Sequence, residues 1–118
     1  AKIVKDKISY IHKDLANGRW FTFSFDEQMG NLGAEVGRMG ILKRKDEKLG
    51  QAAFERGLEL LDLTIKDSKN YERLSELGRL RVMLVDWFSG ENKCGATKES
   101  WDEYFYPFGA RAMAKYFK

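Results

Sequence analysis

The stretch SFDEQMGNLGAEVGRMGIL, residues 24–42, decides the fold. Met29, Leu32, Val36 and Met39 recur at steps of three, four and three, which is one face of an α-helix and not the alternation of a strand. Ser24 stands just ahead of that run, with Glu27 three residues on. At that spacing each side chain satisfies the other's free backbone N–H. A helix is therefore predicted to open at Ser24 and to end near Leu42, ahead of Lys43-Arg44-Lys45.

The same period recurs on both sides of this helix. Val4, Ile8, Ile11 and Leu15 predict a helix over Ile3–Ala16, stopped by Asn17-Gly18, since both residues tolerate the left-handed cap conformation. Arg19–Phe23 reads as an aromatic connector, with Trp20, Phe21 and Phe23 folded back onto the core. Downstream, Phe54, Leu58, Leu61 and Ile65, flanked by Ala53, Gly57 and Leu60, predict a broad-faced helix over Asp46–Ile65. After a turn at Lys66–Asn70, the stripe Leu77, Leu80, Leu84 and Trp87 predicts a helix over Tyr71–Phe88. A loop through Cys94 and Gly95 leads to Thr97, the N-cap of a last helix that carries Trp101, Phe105, Phe108 and Ala112 inward. Pro107 predicts a kink or a fresh start there. Short loops favour antiparallel neighbours, so residues 1–118 are predicted to form a single-domain, all-α, four- to five-helix up-and-down bundle.

Composition narrows the function classes. With 43% apolar and 33% charged residues of both signs over 118 residues, the chain suits a packed domain and not a disordered one. No run of about 18 apolar residues occurs, and no basic-then-apolar leader is visible, so neither membrane contact nor a signal peptide is expected. A lone cysteine points to a reducing, cytoplasmic setting. The net charge of +3 falls short of the usual excess of a nucleic-acid binder.

Four glycines, Gly30, Gly33, Gly37 and Gly40, lie along one stripe of the predicted residue 24–42 helix. Each costs roughly 1 kcal/mol relative to alanine in a helix interior, so the stripe needs compensation. Close approach of another helix, in this fold or across a dimer seam, supplies it; a smooth groove for a flat ligand or peptide is the alternative. Together with Trp101 and Phe105 of the last helix, the stripe is the candidate binding groove or interface. Arg38, Lys43, Arg44, Lys45 and Arg81 are candidate contacts to RNA or another anion. Arg81, Asp62 and Asp86 interrupt apolar faces, and an internal Arg–carboxylate network is expected to pair them.

Glu55, Glu59 and Asp62 share a helix face, the arrangement by which oxygen ligands hold a hard divalent cation. Glu59-x-x-Asp62 resembles the second metal-binding element of all-α nucleoside triphosphate pyrophosphohydrolases. The first element is absent, since Glu27 is followed three residues later by Gly30, and Glu35 by Arg38. His12 and Cys94 are too few for a zinc site or a thiol–imidazole pair, and no cofactor is expected.

Residues 54–64, the run Leu77-Gly78-Arg79-Leu80-Arg81 followed by Asp86, and Tyr104-Phe105-Tyr106-Pro107-Phe108 resemble a small prokaryotic family of helical proteins with no assigned activity. The overall plan also resembles HEPN domains, whose active members carry an Arg, four to six residues, then His. The only histidine here is His12 and no arginine precedes it, so that resemblance implies a non-catalytic member that holds RNA or a nucleotidyltransferase partner. The expected role is binding, as a homodimer or as an accessory subunit of another protein. A metal-dependent nucleotide hydrolase is the enzymatic alternative.

Overall fold

The computed structural model describes residues 17–116, and the predicted first helix and His12 lie outside them. A 3-10 turn, Arg19–Thr22, leads into α1, Phe25–Lys45. α2 is Glu47–Lys66, α3 is Leu74–Ser89 and α4 is Lys98–Ala114; a second 3-10 segment, Ser68–Arg73, joins α2 to α3. Among the described residues there is no strand, and no helix is long and apolar enough to cross a membrane.

α1 and α2 are joined by Asp46 alone, which caps α2 by accepting from the Lys48 and Leu49 N–H groups. So short a joint forces an antiparallel hairpin. Gly50 and Gly57 let α2 close on α1: a Cβ on Gly50 would stand 2.7 Å from the Lys43 Cα, and one on Gly57 would meet the Met39 methyl. α3 runs back along α2, with Phe54 stacked on Phe88 at 4.4 Å and Arg81 gripping both oxygens of Asp62. α4 returns antiparallel to α1, from Gly33 beside Phe105 to Asp26 beside Arg111. Among the described residues the result is an all-α up-and-down bundle of four helices, with α3 and α4 bridged by aromatic side chains, Trp87 meeting Trp101 edge to face at 5.7 Å.

Residue patterning explains these elements closely. Met29, Leu32, Val36 and Met39 are all in the core, and the Ser24–Glu27 box closes both ways. α1 runs on to Lys45 rather than ending near Leu42, because Lys43, Arg44 and Lys45 favour the negative end of the helix dipole. The Tyr71–Phe88 prediction starts too early: residues 68–73 are 3-10, with Asn70 outside helical geometry. Trp20 is buried, and Phe21 and Phe23 pack partly against the core. α4 passes through Pro107 as one helix, giving up one backbone hydrogen bond without a fresh start.

A buried polar knot ties the open end of the α1–α2 hairpin. The Gln28 amide donates to the Trp20 carbonyl at 3.1 Å and to Asp67 at 2.8 Å. Asn70 donates to the Gln28 Oε1 and to the Thr64 carbonyl, both at 2.9 Å. The Trp20 indole donates to the Thr64 hydroxyl at 3.0 Å, which itself donates to the Leu60 carbonyl at 2.8 Å. Burial pushes the Asp67 carboxyl up, but hydrogen bonds from Lys69 and Gln28 outweigh it and hold the group below its ordinary value.

Two stability measurements check this account. Asn70→Ala strands the Gln28 Oε1 and is expected to lower the unfolding free energy by about 1–3 kcal/mol in urea titration. At the other joint, the Ser24 N–H first and the Lys115 ammonium second hold the Glu27 carboxyl down at about 2, from an ordinary 4.5. A carboxyl depressed by folding stabilises fully above its unfolded value and loses that contribution as pH falls toward the folded one. The native chain should therefore lose more stability than Glu27→Gln between pH 4.5 and 2; parallel losses would show that the box and clasp contribute nothing.

Candidate functional site

The glycine stripe of α1 has two halves. Gly30 and Gly33 are covered by α4: a Cβ on Gly30 would lie 3.4 Å from the Gly109 Cα, and one on Gly33 only 2.7 Å from the Phe105 Cβ. Nothing lies within 4 Å of a Cβ built on Gly37, and one on Gly40 would meet only the Trp87 ring edge at 3.5 Å. The helices thus touch at backbone distance at one end and leave α1 bare at the other.

Two grooves follow from that geometry and share Gly37, Trp101 and Asp102. The first, about 510 Å³, runs over Gly30, Gly33, Ala34, Gly109 and Ala110, and Tyr106 and Met113 edge it. We call it the Gly109 groove. The second, about 550 Å³, lies between Gly40 and Ile41 of α1, Trp87 of α3 and the start of α4 at Thr97–Glu99; this is the Thr97 groove.

The α3–α4 loop builds the end wall of the Thr97 groove. Asp86 accepts from the Lys93 and Cys94 N–H groups, both at 2.9 Å, and these bonds, led by that of Cys94, hold its carboxyl below the ordinary range. Asn92, at φ 53, brackets Ala96 by donating to its carbonyl at 2.9 Å and accepting from its N–H at 3.0 Å. Thr97 then caps α4 by accepting from the Ser100 N–H at 3.0 Å. Asp86 is thus a loop clamp and takes no part in an internal network with Arg81.

The cationic candidates are only partly available. Arg38 pairs with Glu35 at 2.7 Å, and Arg56 meets the same buried carboxylate at 3.1 Å. Lys43 folds onto the Phe88 carbonyl and lies 4.6 Å above its ring. Arg81 is held by Asp62 at 2.7 Å, which keeps its guanidinium above the ordinary value. That pair is half-exposed, so the expected internal network is a surface bridge, worth about 0–1 kcal/mol. The buried carboxylates that do form ion pairs are Glu35 and Asp67, each held by partly exposed cations. Arg44 and Lys45 make no ion pair among the described residues.

The acidic candidates do not converge. Asp62 belongs to Arg81, and Glu55 accepts from Gln51 at 3.2 Å. Among the described residues no group of three His, Cys, Asp or Glu side chains is placed to hold a metal ion, so Glu55, Glu59 and Asp62 are no cation site here. The Cys94 thiol is held above its ordinary value by desolvation and by the Asp86 carboxylate, the reverse of what activates a thiol.

Sequence reasoning missed Trp87, Thr97 and Lys98 as groove residues. Thr97 was visible as a cap and Trp87 as a core residue, but nothing in the linear pattern places them beside Gly40. Set against models of known protein families, curated protein sequences and solved structures, the chain matches none.

The two halves of the stripe answer differently to one added methyl. Gly37→Ala has room and improves helix propensity, so it should raise stability by about 0.5–1 kcal/mol. Gly33→Ala drives its methyl into Phe105 and should destabilise by about 1–3 kcal/mol. Equal effects in chemical denaturation would contradict the division.

Proposed function

We propose that this chain is a non-catalytic interaction protein that pairs with a second copy of itself across the Gly109 groove. The observation that carries the reading is a shallow, small-residue floor edged by large apolar side chains facing solvent. Tyr106 is 75% exposed, Met113 53%, and Ile41, further along the same seam, 49%. Isolated exposed apolar residues are ordinary, but aligned ones beside a groove mark an interaction surface. The floor of Gly30, Gly33, Ala34, Gly37, Gly109 and Ala110 lets a partner backbone come close.

A second copy suits this face for a geometric reason. α1 and α4 are antiparallel neighbours, so a two-fold axis along their seam lays α1 of each copy on α4 of the other. We assign the protein to the reducing cytoplasm, a reading supported by a single cysteine that has no second thiol in the chain to pair with.

Sedimentation equilibrium tests the pairing. The expected mass is twice the 13.7 kDa of the chain, reverting to one chain mass in Tyr106→Glu/Met113→Lys with helix content unchanged. A native chain that stays monomeric to millimolar concentration, or a double variant that still pairs, would overturn it.

A further inference from the structure

The chain has four methionines, and the fold treats them unequally. Met29 and Met39 are 0% exposed in the core, the second with its methyl turned onto Gly57 of α2. Met83 of α3 is half-buried against the core. Met113, in the last turn of α4, is 53% exposed and edges the Gly109 groove. A thioether is oxidised only where its sulfur can be reached from solvent, and a core methionine is reached only when the fold opens. Met113 is therefore the methionine that an oxidant in solution meets first.

The position of Met113 gives that chemistry a consequence. An unbranched thioether is soft and adapts to an irregular partner, which suits the edge of a contact surface over a small-residue floor. Oxidation replaces this apolar edge with a strongly polar S=O group beside Gly109 and Ala110. The cations next to it on α4 are turned elsewhere, Arg111 to Asp26 at 3.2 Å and Lys115 to Glu27 at 3.0 Å. A sulfoxide oxygen covered by a partner there would lose its water without an ion-free donor from its own helix in return.

We infer that Met113 is an oxidation site that controls self-pairing. The Met113 sulfur attacks one oxygen of hydrogen peroxide and the O–O bond breaks. Sulfur is oxidised by two electrons to the sulfoxide, and the other oxygen leaves as water. The inference rests on the pairing proposed above. Pairing and oxidation then oppose each other, because a paired chain covers the sulfur that the oxidant needs.

The test exposes the folded Cys94→Ser chain to hydrogen peroxide, since the exposed Cys94 thiol lies outside the Gly109 groove and would compete for oxidant. Peptide mapping by mass spectrometry should place the first added oxygen at Met113. Chain oxidised there should pair about tenfold or more weakly in sedimentation equilibrium. Met113→Leu keeps the apolar edge without the sulfur, so it should pair like the native chain before and after the same exposure. Met113→Gln, polar and of similar length, should pair as weakly as the oxidised chain with helix content unchanged. First oxidation at Met29, Met39 or Met83, oxidised chain that pairs as tightly as before, or a Met113→Leu chain driven apart by peroxide would each overturn the inference. A native chain that is monomeric before any oxidation overturns the self-pairing reading and this control with it, whereas a paired chain indifferent to oxidation overturns the control alone.

Discussion

The structure depends on how closely α1 is approached by its two neighbours. On one side, Gly50 and Gly57 bring α2 to within a side chain's thickness of Lys43 and Met39; on the other, Gly30 and Gly33 admit Gly109 and Phe105 of α4. A helix interior that gives up roughly 1 kcal/mol per glycine must recover it in contact. Here the recovery is dispersion and burial along α1, which packs closely against both α2 and α4. α3 takes a different solution. It stands off from α4 and fills the gap with Trp87, Trp101, Tyr104 and Phe105, so the bundle is tight on two seams and aromatic on the others.

That unevenness creates the grooves. If α4 followed α1 at glycine distance along its whole length, Gly37 and Gly40 would be as covered as Gly33. Instead α4 begins at Thr97, on a loop pinned by Asp86 and Asn92, and Trp87 and Trp101 stand where a closer helix would otherwise lie. A fold constraint thereby becomes an exposed, partly aromatic recess with a helix start on one wall and Arg44 on the other.

Much of this is written in local pattern. The stripe Met29–Leu32–Val36–Met39, the Ser24–Glu27 box and the Thr97 cap follow from spacing alone, because each involves residues within one or two helical turns. The polar knot is not local. Gln28, Thr64, Asp67 and Asn70 are drawn together from three elements, and Asp67 and Asn70 look in sequence like ordinary turn residues. One signal was there to read: Gln28 shares a helical face with Leu32 and Met39 and is fully buried with them, and a glutamine on such a face must find partners. The glycine stripe was equally plain as a stripe. Which half is packed and which is open depends on the position of α4, which no spacing within α1 encodes.

The most direct measurement of this division is the set of proton–proton NOEs between α1 and α4. The account predicts strong contacts between the α protons of Gly30 and Gly109, where a built Cβ comes to 3.4 Å of the opposing Cα, and none from Gly37 to any backbone proton of α4. Backbone contacts from Gly37 equal to those from Gly30 would mean that α4 follows α1 along its whole length. The open half, and the Thr97 groove that rests on it, would then be absent in solution.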